Sequence, residues 1–323
     1  MKHLLLVICF LGYSRSTHDA INCKNPSGRA VDWFILFKLP KLNTGKVHTV
    51  GTEFFYMDAD NQNFKITTMQ NVIRPNRNPL FQTLKPLYSN SPFIQSYAMY
   101  NDQEPSGKKK AAQTKAHSKG ALAFDKSNGF WMISGIPRFP AEVSEGYHFS
   151  DEQKPFGQTV LCVTVPNKVK EIIEKIFKTT NPNIYDQRNF TVWEGKPASK
   201  INLDFRTSGN SLVKVFAKSA KFGKKDIFTQ LISPGLKSKL NVDTWRPNQR
   251  NGKKVAENEA FTCVGDLNRQ ETQFKRGGLS LCLKNKKVAE TFRELYTKPG
   301  QIPTCHTSSR KNRKICQHRQ KPL

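Results

Sequence analysis

Acidic residues are scarce in this chain. Its 323 residues carry 25 Asp+Glu against 52 Lys+Arg, a formal charge of +27. Such an excess repels itself unless it meets a polyanion. Nucleic acid is the first candidate partner, and an anionic membrane or glycan surface the second. Long apolar runs are also missing. The longest, Leu4–Leu11, follows Lys2 and His3 and is too short to span a bilayer. It has the form of a secretory signal, expected to occupy residues 1–20, and no later stretch is a membrane-span candidate. Closely paired cysteines are absent, so no zinc site is assigned, and neither metal nor cofactor is expected. No short repeat is present.

What remains after the leader is still informative. Cys9 leaves with it, and Cys23, Cys162, Cys263, Cys282, Cys305 and Cys316 stay. An even number in an exported chain implies three disulfides. Asn189-Phe190-Thr191 is a glycosylation acceptor and belongs at the surface. The 22 Phe and four Trp argue for a packed core over disorder.

The local patterns alternate irregularly between strand and helix, which implies a mixed α/β fold. Residues 28–40, rich in aromatic and aliphatic side chains, read as a strand closed by Pro40; further strands are expected at 53–57, 130–133, 156–165, 211–216, 242–245, 261–269 and 279–283. Helices are expected at 79–87, at 167–178 from the spacing of Val169, Ile172, Ile173, Ile176 and Phe177, at 226–240 with a break at Pro234, and at 288–296. Residues 181–200 read as loop, and the tail from Pro299 as irregular. Trp33 and residues 130–133 are expected in the core. Asp32 and Asp266 are read as structural carboxylates that brace turns.

The stretch with the clearest chemistry runs from Tyr100 to Pro140. His117, Ser118 and Lys119 precede the apolar run 120–124. In a strand, residues two apart share a face, so His117 and Lys119 project together. An imidazole can attack an electrophile or move a proton, and a neighbouring ammonium can hold an oxyanion. With no carboxylate cluster nearby in sequence, the pair suits a phosphate better than an acyl group. The lysine-rich loop before it, with Lys108, Lys109 and Lys110, is a natural clamp for a phosphate backbone.

Six ordered segments narrow the reading: VDWFILFKLPK, YNDQEP, HSKG with GFWMISGIPRFP, FGQTVLCV, FAKSAKFG and TCVGDLNRQETQFKRGGLSLC. Together they resemble the deoxyribonuclease II family, over a span from Cys23 to about Cys305. The resemblance implies a phospholipase D-like fold of two pseudo-symmetric α/β halves, about 21–165 and 166–305, around a central basic cleft, followed by a basic tail at 306–323. It implies an exported or lysosomal endonuclease that cuts DNA without metal in acid. In that chemistry one imidazole attacks phosphorus and a second, protonated, one serves the departing sugar oxygen. Carried over, His117 and Lys119 are the first-half catalytic pair. The resemblance also pairs Cys23 with Cys162 and Cys263 with Cys282, leaving Cys316 as a partner for Cys305.

The chain departs from the family where the second His-x-Lys is expected. That region reads RPNQRNGKKVAENEAF and holds no histidine. Ser134 and Gly135 stand where the family shows a histidine and a serine. Arg250, Lys253 and Lys254 can hold phosphate there but cannot donate a proton near neutral pH. Asn268, Arg269, Lys275 and Arg276 are further expected DNA contacts, at turns that close strands. The expectation is therefore a secreted protein that binds DNA through its backbone, without sequence preference, and whose family cleavage is weakened or lost. The alternatives are an active acid endonuclease with a substituted or dimer-shared site, and a basic protein that binds anionic glycans.

Overall fold

The structure, a computed structural model, describes residues 20–44, 47–62, 70–71, 77–107, 113–240, 242, 260–297, 304–308 and 313–317. Its first part contains strands β1 (Trp33–Lys38), β2 (Lys41–Thr44), β3 (Val47–Val50), β4 (Glu53–Asp58) and β5 (Gln70–Asn71), helix α1 (Pro79–Tyr88), then β6 (Ser96–Asn101), β7 (Lys119–Phe124), β8 (Asn128–Ser134) and β9 (Gln158–Pro166). Helix α2 (Val169–Thr180), β10 (Ile184–Arg188), β11 (Lys200–Arg206) and β12 (Leu212–Lys218) follow. The last part holds α3 (Ser233–Leu236), β13 (Phe261–Gly265), α4 (Glu271–Phe274), β14 (Gly278–Lys284), α5 (Lys286–Thr297) and the hairpin β15 (Thr304–Ser308) and β16 (Arg313–Gln317).

Two antiparallel sheets carry the fold. The larger has eight strands in the order β10-β6-β7-β8-β9-β1-β4-β5, and the smaller has four, β11-β12-β14-β13. Both are mixed into an α/β protein with few helices, and the larger sheet takes its edge strand β10 from beyond α2.

The sequence explains why both faces of the larger sheet are covered. Along β1, Trp33 and Ile35 join one core while Phe34 and Leu36 join another. Trp131 and Ile133 of β8 go to the first, Phe130 and Met132 to the second. A strand apolar at every position must be buried on both sides. The first core lies between the sheets and is completed by Val213 and Val215 of β12, Leu279, Leu281 and Leu283 of β14, and Val169, Ile173, Ile176 and Phe177 of α2. Each such side chain contributes roughly 1.5–3 kcal/mol on burial. The Trp131 and Phe205 rings stack across this interface with centroids 6.4 Å apart. The second core sits under α1, whose Leu80, Leu84 and Leu87 line one face. Asn78 caps that helix by accepting from the Leu80 amide at 2.9 Å, with Pro79 in its first turn. A smaller third core gathers Phe216, Ile227, Ile232 and Leu267 on the outer side of the four-stranded sheet.

Trp33 and residues 130–133 are buried as expected. Asp32 braces a turn: it accepts from Thr207 Oγ1 at 2.6 Å, Ser211 Oγ at 2.7 Å and the Gly209 amide at 2.6 Å, fastening the β11–β12 connection to the start of β1. Disulfides Cys23–Cys162 and Cys263–Cys282 are present. Asn189 is exposed just past β10.

Several elements differ from the sequence reading. Residues 181–200 are not all loop, since β10 pairs with β6 at the sheet edge. Its residues IYDQR are mostly polar, in keeping with edge strands whose charged side chains discourage pairing with another chain. The expected helix at 226–240 is a single wide turn at Phe228–Ile232 running into α3, where Pro234 sits in the first turn. The tail forms a hairpin in which Cys305 lies opposite Cys316. The expected strand at 242–245 falls largely outside the described residues, as do residues 1–19 of the leader and the tail end at 318–323. No helix among the described residues is long and apolar enough to cross a membrane.

Candidate active site

The site forms where the segment joining β6 to β7 in the larger sheet reaches across to the smaller one. Three backbone-anchored contacts hold it. The Ala116 amide donates to Asn181 O at 2.9 Å, the His117 amide donates to Gly277 O at 3.0 Å, and Arg276 Nε donates to Lys115 O at 2.8 Å. Asn181 closes α2 in a left-handed conformation, φ 58°, ψ 60°, which turns its carbonyl away from the helix. Gly277 is required because a Cβ there would collide with Thr180 O, and Gly120 because a Cβ would collide with Met132 O and the Tyr100 ring. The glycines after Lys119 and Arg276 thus permit the close approach that puts His117 between the sheets.

His117 is partly exposed, while Ser118 and Lys119 are buried. His117 Nδ1 lies 2.6 Å from the Asp266 backbone oxygen. A carbonyl can only accept, so Nδ1 carries the hydrogen and Nε2 keeps its lone pair. Lys119 Nζ is 3.5 Å from Nε2. Burial, followed by the charge of Lys119, lowers the His117 pKa to about 4. The ring is therefore uncharged above that pH, which suits a nucleophile and not a proton donor.

Two aspartates brace the pair. Asp102 accepts from Lys119 Nζ at 2.6 Å and, through its other oxygen, from Arg276 Nη2 at 2.8 Å. Burial alone would push its carboxyl up, but Lys119, His117 and Arg276 hold it below its ordinary range. Asp266 accepts from Ser118 Oγ at 2.5 Å and from the Leu279 amide at 3.3 Å. Burial pushes it up to about 7, against the opposing pull of Ser118 and Lys119.

The expected site residues meet different fates. His117 and Lys119 come together, although β7 begins only at Lys119 and His117 lies ahead of it, so the common strand face expected for the pair is not what joins them. Arg276 is buried and tied to Asp102 and to the Lys115 and Ala116 carbonyls, so its guanidinium faces the protein. Arg269 pairs with Asp226 at 2.6 Å. Lys275 is exposed, and Asn268 is partly exposed with its amide donating to Gln273 Oε1 at 2.6 Å. Lys108, Lys109, Lys110, Arg250, Lys253 and Lys254 lie outside the described residues. The FAKSAKFG segment serves the site from below: buried Lys218 donates to the carbonyls of Phe274, at 2.9 Å, and Arg276, at 2.5 Å. Sequence reasoning missed Asp102, although it lies in the YNDQEP segment, and expected Arg276 at a DNA-facing turn, whereas it is buried against Asp102 beneath His117 and Lys119.

Known proteins resemble this chain along most of its length. The family model described as Deoxyribonuclease II matches residues 22–255 and 248–302. Plancitoxin-1 of Acanthaster planci is 29% identical over 330 residues, covering 85% of this chain and 91% of its own. Deoxyribonuclease-2-beta of Mus musculus is 29% identical over 333 residues, covering 87% and 92%. Cell-death-related nuclease 7 of Caenorhabditis elegans is 27% identical over 357 residues, covering 95% and 94%.

Proposed function

The chain belongs to the deoxyribonuclease II family, and on that footing we propose that it binds the DNA backbone at His117 and Lys119 and cleaves it weakly or not at all. The observation that carries this reading is the fixed imidazole: Nδ1 donating to Asp266 O at 2.6 Å, with Lys119 Nζ 3.5 Å from Nε2. A phosphodiester set against Nε2 meets a lone pair and a cation at once. Attack by Nε2 on phosphorus would form a phosphohistidine and move an electron pair onto the departing sugar oxygen. Lys119, held by Asp102, would offset charge on the phosphoryl oxygens.

The departing oxygen then needs a proton. His117 cannot supply it, because its ring is uncharged over most of the acid range. The Asp266 carboxyl is buried against Ser118 and the Leu279 amide, and among the described residues no hydrogen bond joins it to His117 Nε2. Residues 246–261 contain no histidine. General acid assistance is worth roughly a hundredfold or more, so its loss leaves a binding site with a slow first step.

On the same reading residues 21–165 and 166–305 are the halves of a phospholipase D-like fold, with β10 of the second half added to the sheet of the first, the protein is exported or lysosomal, and Asn189 carries a glycan. Two disulfides support an oxidising compartment. The register of β15 on β16 supports a third, Cys305–Cys316; peptide mapping that finds two free thiols there would overturn it.

The main test is incubation of purified protein with plasmid DNA near pH 5 in chelator, beside His117→Ala. Salt-dependent DNA binding with little nicking by the parent is the expected result. Strong nicking lost in His117→Ala would show a working endonuclease instead. Nicking that survives the substitution would remove His117 from the site, and heparin outcompeting DNA at matched salt would point to glycan.

A further inference from the structure

Lys38 and Lys218 are both wholly buried, and among the described residues neither makes an ion pair. An ammonium taken out of water needs a counter-charge or a set of acceptors. Both lysines find backbone carbonyls. Lys38, the last residue of β1, donates to Leu39 O at 2.9 Å, Gly51 O at 2.8 Å and Lys154 O at 3.3 Å. Lys218, the last residue of β12, donates to Phe274 O at 2.9 Å and Arg276 O at 2.5 Å. Burial lowers Lys38 to about 7 and Lys218 to about 8, so both are charged in acid.

The two differ in what their carbonyls carry. Those around Lys38 flank the β2–β3 hairpin, and among the described residues no hydrogen bond joins Leu39, Gly51 or Lys154 to the His117 segment. Those around Lys218 belong to the turn between α4 and β14. That turn sends the Arg276 guanidinium to Asp102 and to the Lys115 and Ala116 carbonyls, and offers Gly277 O to the His117 amide. Gly277 also lies against Thr180 O, with no room for a Cβ. Lys218 shares the face of β12 that holds Phe216, so it meets the turn from the side of the third core. Among the described residues it has no hydrogen bond to His117, Ser118 or Lys119.

We propose that Lys218 is a positioning residue for the site: its ammonium, through the Phe274 and Arg276 carbonyls, fixes the turn that orients His117, without touching DNA itself. The proposal rests on the reading of His117 as the group that faces phosphate, and adds what holds it there.

The test uses full-length protein with nitrogen-labelled histidine. Ring nitrogens are followed by NMR against pH, and the His117 signals are assigned by their loss in His117→Ala. The parent is expected to show one Nδ1–H tautomer titrating at about 4. Lys218→Met keeps an unbranched side chain and removes its charge and donors. It is expected to mix the two tautomers and to raise the titration by about one pH unit or more toward the ordinary value near 6.5. Lys38→Met is the control. It deletes an equally buried ammonium, lowers the urea midpoint as Lys218→Met does, and leaves the His117 signals in place. Where Lys218→Met does not fold, Lys218→Gln, which keeps a donor, is read in the same way. His117 signals that ignore the loss of Lys218, or that move as far in Lys38→Met, overturn the proposal. Plasmid DNA binding by the same variants keeps the two readings apart. Lys218→Met is expected to weaken it several-fold and Lys38→Met to leave it unchanged. If the His117 signals move while binding stays at the parent value, the DNA-binding reading falls and the positioning of His117 stands.

Discussion

Asp102 and Asp266 occupy matching places in the two sheets. Each follows the last residue of a strand, β6 in the larger sheet and β13 in the smaller. Each is buried and each lies under the His117 segment. Their carboxyls nevertheless move in opposite directions, Asp102 below its ordinary range and Asp266 up to about 7. The difference is in the partners. Asp102 faces an ammonium and a guanidinium, which stabilise its anion. Asp266 has a hydroxyl and an amide, which do not compensate fully for lost hydration. Burial sets the cost of a charge, and neighbouring charge decides whether that cost is met.

The comparison breaks most visibly at Asp102. Asp102→Asn leaves two buried cations without their anion, and is expected to lower stability by roughly 3–5 kcal/mol in urea unfolding. A loss under about 1 kcal/mol would mean that Lys119 and Arg276 find other partners.

Asp266→Asn is expected to cost much less at pH 5, because the native carboxyl is already largely protonated there. Its signature is in the pH dependence. The native state holds a proton on Asp266 that the unfolded chain releases near pH 4, so this group's contribution to stability falls as pH rises from about 4 to about 7. His117 works the other way, since its folded pKa of about 4 makes the native state release a proton that the unfolded chain keeps until about 6.5, and its contribution rises with pH over that window. Asp266→Asn should remove the falling component and leave the rising one, read as urea midpoints at pH 5 and pH 8. Identical pH profiles for parent and variant would contradict the raised carboxyl.

The smallest effect is expected from Ser118→Ala. It deletes one hydrogen bond, worth about 1 kcal/mol, and with it a donor that favours the Asp266 anion. The Asp266 titration should move further up, as followed by carboxyl carbon NMR. Movement downward would show that the hydroxyl favours the protonated acid.

The chain announces its hydrophobic elements and its histidine–lysine pair, and conceals what supports them. β1 and β8 are apolar at nearly every position because both faces are covered, and α2 shows its buried stripe at helical spacing. β10 is polar enough to pass for loop. β11 alternates Ile201, Leu203 and Phe205 with polar residues, a signal present in the sequence but given no element. His117 and Lys119 are legible as a local pair, but the strand alternation that suggested it starts only at Lys119, and His117 is held beside it by the Gly277 carbonyl and the Asp266 backbone oxygen. Arg276 and Asp102 are 174 residues apart, and no local pattern predicts that they meet. An arginine beside two glycines looks the same on paper whether it reaches for solvent or for a buried carboxylate.

The shared core between the sheets also bears on how the chain can be divided. The inner face of the eight-stranded sheet, with Trp33, Trp131 and Val163, is covered by α2 and the smaller sheet. Cutting the gene near residue 166 would strip that cover from both products. Such fragments would be insoluble when expressed singly and would complement one another when expressed together, making this junction a natural split point for a reconstitution reporter.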